Sequence, residues 1–205
     1  RPCRGRHELR RHRVLLVVNN VPWQKVGSRR ISPAEERFAE ELAILEGIDD
    51  GPKPEGWRLS PKRVVEFICG TGGEKVKLPK GAKAGKGAAK SLEISEKFIR
   101  DRAVVERCVV TLAGERGLLL VGEPGTAKSM LSELLAAAIS GTSSLTIQGT
   151  AGATEDHFRY SWNYALLLAK GPSREALVAS PILRAMEQGA LARLEELTPV
   201  PADVQ

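Results

Sequence analysis

The sequence predicts an α/β layer fold built on a largely parallel sheet. Two observations support this prediction. Short apolar runs alternate with helical patterns through the second half of the chain, and a glycine-rich loop joins one such run to the helix after it. The predicted strands are Leu118–Val121, residues 144–148 and residues 190–194.

The strand Leu118–Val121 is a continuous apolar run, which is typical of a strand buried in a parallel sheet. A helix of strong helix formers is predicted over residues 129–139, and it ends at Gly141. A long helix is predicted from Thr154 to about Lys170, because acidic residues in its first turn would interact favourably with the helix dipole. This helix would carry the aromatic residues Tyr160, Trp162 and Tyr164.

Serine–proline pairs mark three further helix starts, because serine suits the N-cap and proline suits the first helical position. The pair Ser32-Pro33 opens a helix that stops near Gly47. Ser60-Pro61 opens a helix that ends at Gly70, and Ser180-Pro181 opens one that ends at Gly189. Residues 32–70 therefore form a small helical segment, and residues 99–112 form another helix before the first predicted strand.

Two low-complexity segments carry the positive charge of the chain. Residues 1–30 hold nine Lys and Arg against one Glu, and residues 74–90 hold six Lys against one Glu. We expect residues 1–31 to be a basic disordered tail or a mistranslated leader, and residues 71–90 to be a linker rich in Lys, Gly and Ala. The core would then occupy residues 91–205. The lysines are not interleaved with aromatic residues, which argues against nucleic acid as a partner.

The composition excludes several classes of protein. A chain of 205 residues with 42% hydrophobic and 27% charged residues is globular in balance. Its three cysteines lie far apart and form no Cys-x-x-Cys pair, which excludes a disulfide scaffold and favours a reducing compartment, the cytoplasm. No apolar run approaches the roughly 20 residues that a membrane span needs.

The strongest chemical signal is a phosphate-binding loop between a strand and a helix. Its glycines let backbone N–H groups turn toward phosphate oxygens, Lys128 would bind the β- and γ-phosphates, and the Ser129 hydroxyl would bind Mg²⁺. Ala127 departs from the general pattern, which has a second glycine at this position; the methyl group matters only if the residue has a positive φ or touches the phosphate. The predicted nucleotide-binding residues are Gly122, Glu123, Pro124, Gly125, Thr126, Ala127, Lys128, Ser129 and Met130.

An acidic pair, Glu195 and Glu196, follows the predicted strand at residues 190–194. Adjacent side chains at a strand end project differently, so one carboxylate could face a metal while the other faces a water molecule. A solvated acidic turn is the alternative, and Arg193 interrupts the apolar strand just before the pair.

The loop sequence GEPGTAKS, with alanine before the lysine, resembles the MoxR-type branch of the AAA+ ATPases. Residues 147–189 are similar to the insert-bearing region of a bacterial MoxR-like subgroup, and RLEELTPVPADVQ at residues 193–205 looks like the second acidic motif of that family. The resemblance runs from about Phe38 to Gln205. Two departures are Glu195, where Asp is more usual, and Pro199, where the subgroup tends to have Arg.

The resemblance implies a three-layer P-loop NTPase fold of the AAA+ type, with helices on both faces of a parallel sheet. It implies ATP and Mg²⁺ as cofactors, Lys128 and Glu196 as catalytic residues, and Ser129 and Glu195 as metal ligands. Phe98, Ile99 and Arg100 match the segment that flanks adenine in such ATPases.

The resemblance also implies a homo-oligomeric ring, a hexamer, that remodels or matures an unidentified client protein. In AAA+ sheets, a strand with a polar sensor residue lies between the P-loop strand and the acidic strand. We expect the chain to be a fragment that ends before that strand, with a P-loop strand that lacks its central neighbour and with poor ATP hydrolysis. The alternatives are a P-loop kinase, a non-catalytic nucleic-acid-binding protein and a truncated product without activity.

Overall fold

The computed structural model describes residues 13–18, 32–77, 91–99, 101–123 and 125–204. The strands of this part of the chain are β1 (Arg13–Val18), β2 (Lys75–Lys77), β3 (Ser91–Glu93), β4 (Leu118–Val121), β5 (Thr146–Gln148), β6 (Tyr160–Trp162), β7 (Leu177–Ala179) and β8 (Leu191–Glu195). The helices are α1 (Ala34–Arg37), α2 (Ala39–Gly47), α3 (Pro61–Cys69), α4 (Arg102–Ala113), α5 (Lys128–Ser140), α6 (Glu155–Phe158), α7 (Tyr164–Lys170) and α8 (Pro181–Gln188).

The centre of the fold is a four-stranded sheet in the order β4-β1-β8-β5, in which every neighbouring pair is parallel. Val18 of β1 pairs with Val121 of β4, and Val17 pairs with Glu195 of β8. The carboxyl ends of these strands therefore lie at one edge of the sheet. In open parallel sheets, this edge is where ligands bind.

Strand β1 corrects two expectations. The disordered tail predicted for residues 1–31 is wrong for Arg13–Val18, which forms a strand between β4 and β8. The P-loop strand β4 therefore has a neighbour, β1, on the central side of the sheet, contrary to the expectation that it would lack one. The physical reason is the run of five consecutive apolar residues at positions 14–18 within an arginine-rich segment; three of the five are valines, which favour strands. The other residues of 1–31 lie outside the described residues.

Helices cover both faces of β8, which gives the three-layer arrangement expected of the fold. On one face, Leu191 belongs to a large core that includes the buried side chains of α5. On the other face, Ala192 and Leu194 form a smaller cluster with Ala185 of α8. The α/β fold with a parallel sheet is confirmed by the strand pairing.

The N-terminal helices are part of the same core as α5. Buried side chains of α2 and α3 share one hydrophobic cluster with the buried face of α5. Polar contacts reinforce this packing, because Glu133 of α5 accepts hydrogen bonds from the Ala34 backbone N–H (2.9 Å) and from Arg37 (2.8 Å). The single helix predicted from Ser32 to Gly47 is interrupted at Phe38, whose ring packs edge-on against Phe67.

Other helices follow the sequence closely. The helices predicted after Ser60-Pro61 and Ser180-Pro181 are confirmed as α3 and α8. The helix expected from Ile99 begins at Arg102 as α4, because the Asp101 side chain caps it by accepting the Ala103 N–H at 2.9 Å.

The long helix predicted from Thr154 to about Lys170 is wrong. The segment forms α6, strand β6 and α7, and β6 pairs antiparallel with β7. Tyr160 and Trp162 therefore lie on a strand, with their rings in edge-to-face contact at 5.7 Å. The Asn163 side chain starts α7 afresh by accepting the Leu166 N–H at 3.3 Å.

Two further predictions need correction. Strand β4 is not buried on both faces: it has one described neighbour, and the side chains of Leu119 and Val121 are 54% and 70% exposed. Part of the predicted linker is ordered, because Lys75–Lys77 forms β2 and pairs antiparallel with β3. Residues 78–90 of that linker lie outside the described residues. Within the described part, no helix is long and apolar enough to cross a membrane.

Candidate nucleotide-binding site

The glycine-rich loop leaves the end of β4 and enters α5, and most of its described residues are exposed to solvent. Gly125 has φ +77° and Ala127 has φ +58°, so both lie in the left-handed region. For Ala127, this conformation costs about 1–2 kcal/mol relative to a right-handed one. The departure from glycine at this position is therefore a real strain. Pro124 lies outside the described residues.

Lys128 is the first residue of α5, and its side chain folds back into the loop. The residue is 8% exposed. Its ammonium group donates to the backbone oxygens of Gly122 (2.8 Å) and Glu123 (2.6 Å) and to Thr126 Oγ1 (3.0 Å). Thr126 in turn donates its hydroxyl to the Glu123 oxygen at 2.8 Å, which closes the loop around the ammonium.

This arrangement fits a phosphate group. A positive charge within a loop at the N-terminus of a helix is an anion-binding environment, since the helix dipole adds to the charge. A hypothetical Cβ on Gly125 would meet no atom within 4 Å, so the loop is open on that side. Of the other predicted residues, Ser129 lies on the first turn of α5, and Met130 packs against the hydrophobic core.

The acidic pair lies at the same edge of the sheet as the loop, with β1 between β4 and β8. Strands two positions apart in a sheet are separated by roughly 9.5 Å. Glu195 ends β8, and its Oε1 atom lies 3.4 Å from the hydroxyl of Ser132 on α5. Its side chain is 14% exposed. The carboxylate therefore lies against the first turns of the helix that the loop opens.

Glu196 follows the strand in a left-handed conformation, with φ +54°. Its carboxylate forms no hydrogen bond or ion pair with any residue that the structure describes. Gly149 approaches the Glu196 backbone so closely that a Cβ there would lie 2.3 Å from the Glu196 oxygen. The backbone N–H of Gly149 also donates to the Glu195 backbone oxygen at 2.7 Å, which holds the end of β8 against the residue that follows β5.

Arg193 is a functional candidate that the sequence did not assign. It is 8% exposed, and its guanidinium forms an ion pair with Glu195. The signal was present in the spacing, because side chains two residues apart on a strand lie on the same face. Ser132 was missed for a different reason: nothing in the sequence indicates that this helix residue contacts β8.

The residues expected to flank adenine differ in their exposure to solvent. Phe98 is buried in the core at 5% exposure, whereas Ile99 is 84% exposed. Arg100 lies outside the described residues. Just before them, Lys97 donates to Glu41 (2.5 Å) and to the Phe67 backbone oxygen (2.8 Å), which anchors the segment to α2 and α3.

The described residues contain no group of three or more His, Cys, Asp and Glu side chains that could hold a metal ion on its own. Mg²⁺ at nucleotide sites is usually held by one or two protein groups together with substrate phosphates. Ser129 and Glu195 are of the right chemistry for such a limited protein contribution, since both offer oxygen.

Comparison with known proteins agrees with this geometry. Residues 117–205 match the family model described as the AAA domain of the dynein-related subfamily. The matched region runs from just before β4 to the C-terminal residue, so it contains both the loop and the acidic pair. Together with the parallel sheet, the match shows a P-loop NTPase fold of the AAA+ type.

The chain is also similar to the uncharacterized protein YehL of Escherichia coli strain K12. The two are 48% identical over 173 residues, which is 84% of this chain and 43% of that protein. The chain therefore spans less than half the length of this relative. No solved structure gives a significant match.

Proposed function

We propose that the chain is the ATP- and Mg²⁺-binding part of a cytoplasmic MoxR-like AAA+ ATPase, which couples ATP hydrolysis to the remodelling or maturation of a partner protein. The observation that carries the proposal is the Lys128 ammonium, held by three loop oxygens at the N-terminus of α5. The AAA-domain match over residues 117–205 supports the same assignment.

In this proposal, the loop residues bind the nucleotide phosphates through the backbone and through Lys128. The lysine exchanges its bonds to Gly122 and Glu123 for phosphate oxygens, so a buried charge never loses all its partners. Bound Mg²⁺ would neutralise the negative charge of the phosphates. The Ser129 hydroxyl and the Glu195 carboxylate would hold the ion.

Glu196 orients and deprotonates the attacking water molecule. Its carboxylate is suited to this role because no described residue bonds to it and because it directly follows Glu195 at the end of β8. A neighbouring subunit of a hexameric ring would supply an arginine to the transition state. Such arginines contribute roughly 10³–10⁵ in rate in other NTPases.

The first test is binding of a fluorescent ATP analogue to the 205-residue chain in the presence of Mg²⁺. Lys128→Ala removes charge-assisted hydrogen bonds to phosphate, so we expect affinity to fall about 10–100-fold. Lys170→Ala is the matched control, because Lys170 is an exposed lysine on α7 and is paired with Glu175. Equal binding by the wild type and Lys128→Ala would refute the proposal.

Hydrolysis is tested in the longer protein that contains this chain. Glu196→Gln keeps the shape of the side chain but removes the base, so we expect phosphate release to fall about 10²–10⁴-fold while nucleotide binding is retained. A variant that hydrolyses ATP at the wild-type rate would exclude Glu196 as the base and leave nucleotide binding untouched.

A further inference from the structure

Arg193 is a buried arginine in the interior of strand β8. Arginine is almost never buried unless it is paired, because removing its charge from water is costly. Its Nε donates to Ser132 Oγ (3.1 Å), and its Nη1 donates to the Ser143 backbone oxygen (3.0 Å). Its Nη2 donates to the Ser129 backbone oxygen (3.2 Å) and to Glu195. One side chain therefore joins β8, the first turn of α5 and the loop that follows α5.

The contact with Glu195 is selective for one carboxylate oxygen. Both Arg193 Nη2 and the Ser132 hydroxyl approach Oε1. The Oε2 atom accepts no hydrogen bond from the residues that the structure describes. The carboxylate is thus held by one oxygen, and the other remains available to a ligand.

The Ser132 hydroxyl acts both as an acceptor and as a donor of hydrogen bonds in this network. It accepts a hydrogen bond from Arg193 Nε, so its single proton is left to donate elsewhere. The Ser129 backbone oxygen at 2.8 Å is the shorter partner, and Glu195 Oε1 at 3.4 Å is the longer one. Arg193 and Ser132 therefore connect the residue whose hydroxyl would bind Mg²⁺ with the carboxylate that would bind it.

We infer that Arg193 is a positioning residue for the magnesium site: it fixes Glu195 relative to Ser129 so that Oε2 faces the ion. The inference rests on the proposed function and adds a residue to it. Carboxylates that bind metals are commonly held by hydrogen-bonding partners, and losing such a partner typically costs 10–100-fold in metal affinity.

The test is a Mg²⁺ titration of binding of the fluorescent ATP analogue to the 205-residue chain. Arg193→Lys keeps the positive charge but lacks the planar fork that reaches four acceptors. We expect its half-saturating Mg²⁺ concentration to rise about 10–100-fold. We expect affinity for the analogue in EDTA to remain within about twofold of wild type, since the loop is intact. Arg174→Lys is the matched control, because the Arg174 side chain is 86% exposed.

Ser132→Ala provides a second variant that removes a hydroxyl rather than a buried charge. We expect a smaller rise in half-saturating Mg²⁺, with a melting temperature that shows the variant to be folded. If Arg193→Lys does not fold, this variant decides the question. A folded Arg193→Lys variant with the Mg²⁺ dependence of the wild type would overturn the inference. If Arg193→Lys does not fold, the same result for Ser132→Ala would overturn it. A wild-type chain that binds the analogue no better than Lys128→Ala would instead overturn the proposed function.

Discussion

The Glu35 carboxylate on α1 accepts two hydrogen bonds from Ser143, which lies 108 positions further along the chain. The Ser143 backbone N–H lies 2.9 Å from Oε1, and its hydroxyl lies 2.7 Å from Oε2. Burial by itself would raise the pKa of Glu35. Hydrogen bonds, chiefly the two from Ser143, outweigh that effect and hold the pKa below its ordinary value of 4.5.

This contact predicts a pH-dependent contribution to stability. Because the pKa of Glu35 is lower in the folded state, the stabilisation is present above about pH 4.5 and is lost as the pH falls through the folded value. We expect Glu35→Gln to lower the free energy of unfolding by about 1 kcal/mol at pH 7. The difference should shrink below pH 4, as measured by urea unfolding. Glu36→Gln is the control, because Glu36 is exposed. An equal difference at both pH values would contradict this account.

A substitution that interrupts the backbone pairing of β1 should destabilise the whole sheet. Leu16 pairs with Leu119 on one side and with Leu194 on the other, so β1 supplies both neighbours with backbone partners. Proline in a central strand removes a ladder hydrogen bond. We expect Leu16→Pro to lower the melting temperature by more than about 8 °C, which corresponds to at least 2–3 kcal/mol for a domain of this size. Leu16→Val is the control because it retains a strand former. An unchanged melting temperature for Leu16→Pro would support a dispensable tail instead.

Ala127 should tolerate glycine better than a larger residue. Its φ of +58° costs an alanine about 1–2 kcal/mol, and glycine avoids that cost but adds about 0.4–1 kcal/mol of unfolded-state entropy. We expect Ala127→Gly to raise the free energy of unfolding by about 0.5 kcal/mol, and Ala127→Val to lower it. Ala138→Gly, a buried position within α5, is the control and should be destabilising. Thermal melts of all three variants would contradict the account if Ala127→Gly and Ala138→Gly shifted in the same direction.

Lys97 should be far more important to stability than an exposed ion pair. Its side chain is 4% exposed, it bonds Glu41 at 2.5 Å, and its ammonium lies 4.4 Å from the centre of the Phe67 ring. Burial lowers the pKa of Lys97, and Glu41 opposes that shift. Lys97→Met leaves Glu41 without its cation, so we expect a loss of about 3 kcal/mol.

The matched control for Lys97 is Arg102→Met, because the Arg102–Glu106 pair is about half exposed and should contribute less than about 1 kcal/mol. Adding Glu41→Gln to Lys97→Met should restore part of the stability, since the uncompensated charge is removed. Urea unfolding of the single and double variants measures this coupling. A double variant less stable than Lys97→Met would show that the charge pair is not what stabilises this position.

Local signals in the sequence account for much of the fold. Four features depend on neighbouring residues and lie where they were predicted: the helix starts at Ser60 and Ser180, the strand from Leu118 and the loop ahead of Lys128. The loop could be recognised because its chemistry requires particular residue types at fixed spacing. The strain at Ala127 depends on its φ angle, which the sequence does not reveal.

The remaining features depend on contacts between distant segments. Strand β1 is stabilised by pairing with β4 and β8, and nothing in the basic sequence around β1 indicates either partner. The pairing of β6 with β7 likewise overrides a helical pattern around Tyr160. Arg193 interrupts the apolar pattern of its strand, and the groups from α5 and from the loop after it that compensate its buried charge are distant in the sequence.

The position of β1 has a consequence for how the chain folds as it is synthesised. Val17 lies near the start of the chain, and its partner Glu195 lies near the end. Of the strands that the structure describes, β1 is synthesised first, yet its pairing with β8 must wait until residues 191–195 have been made. Until β8 emerges, one side of this apolar strand has no partner, and contacts of such long sequence separation form slowly. A chaperone that shields apolar nascent segments would therefore have a binding site at Arg13–Val18 until β8 is made.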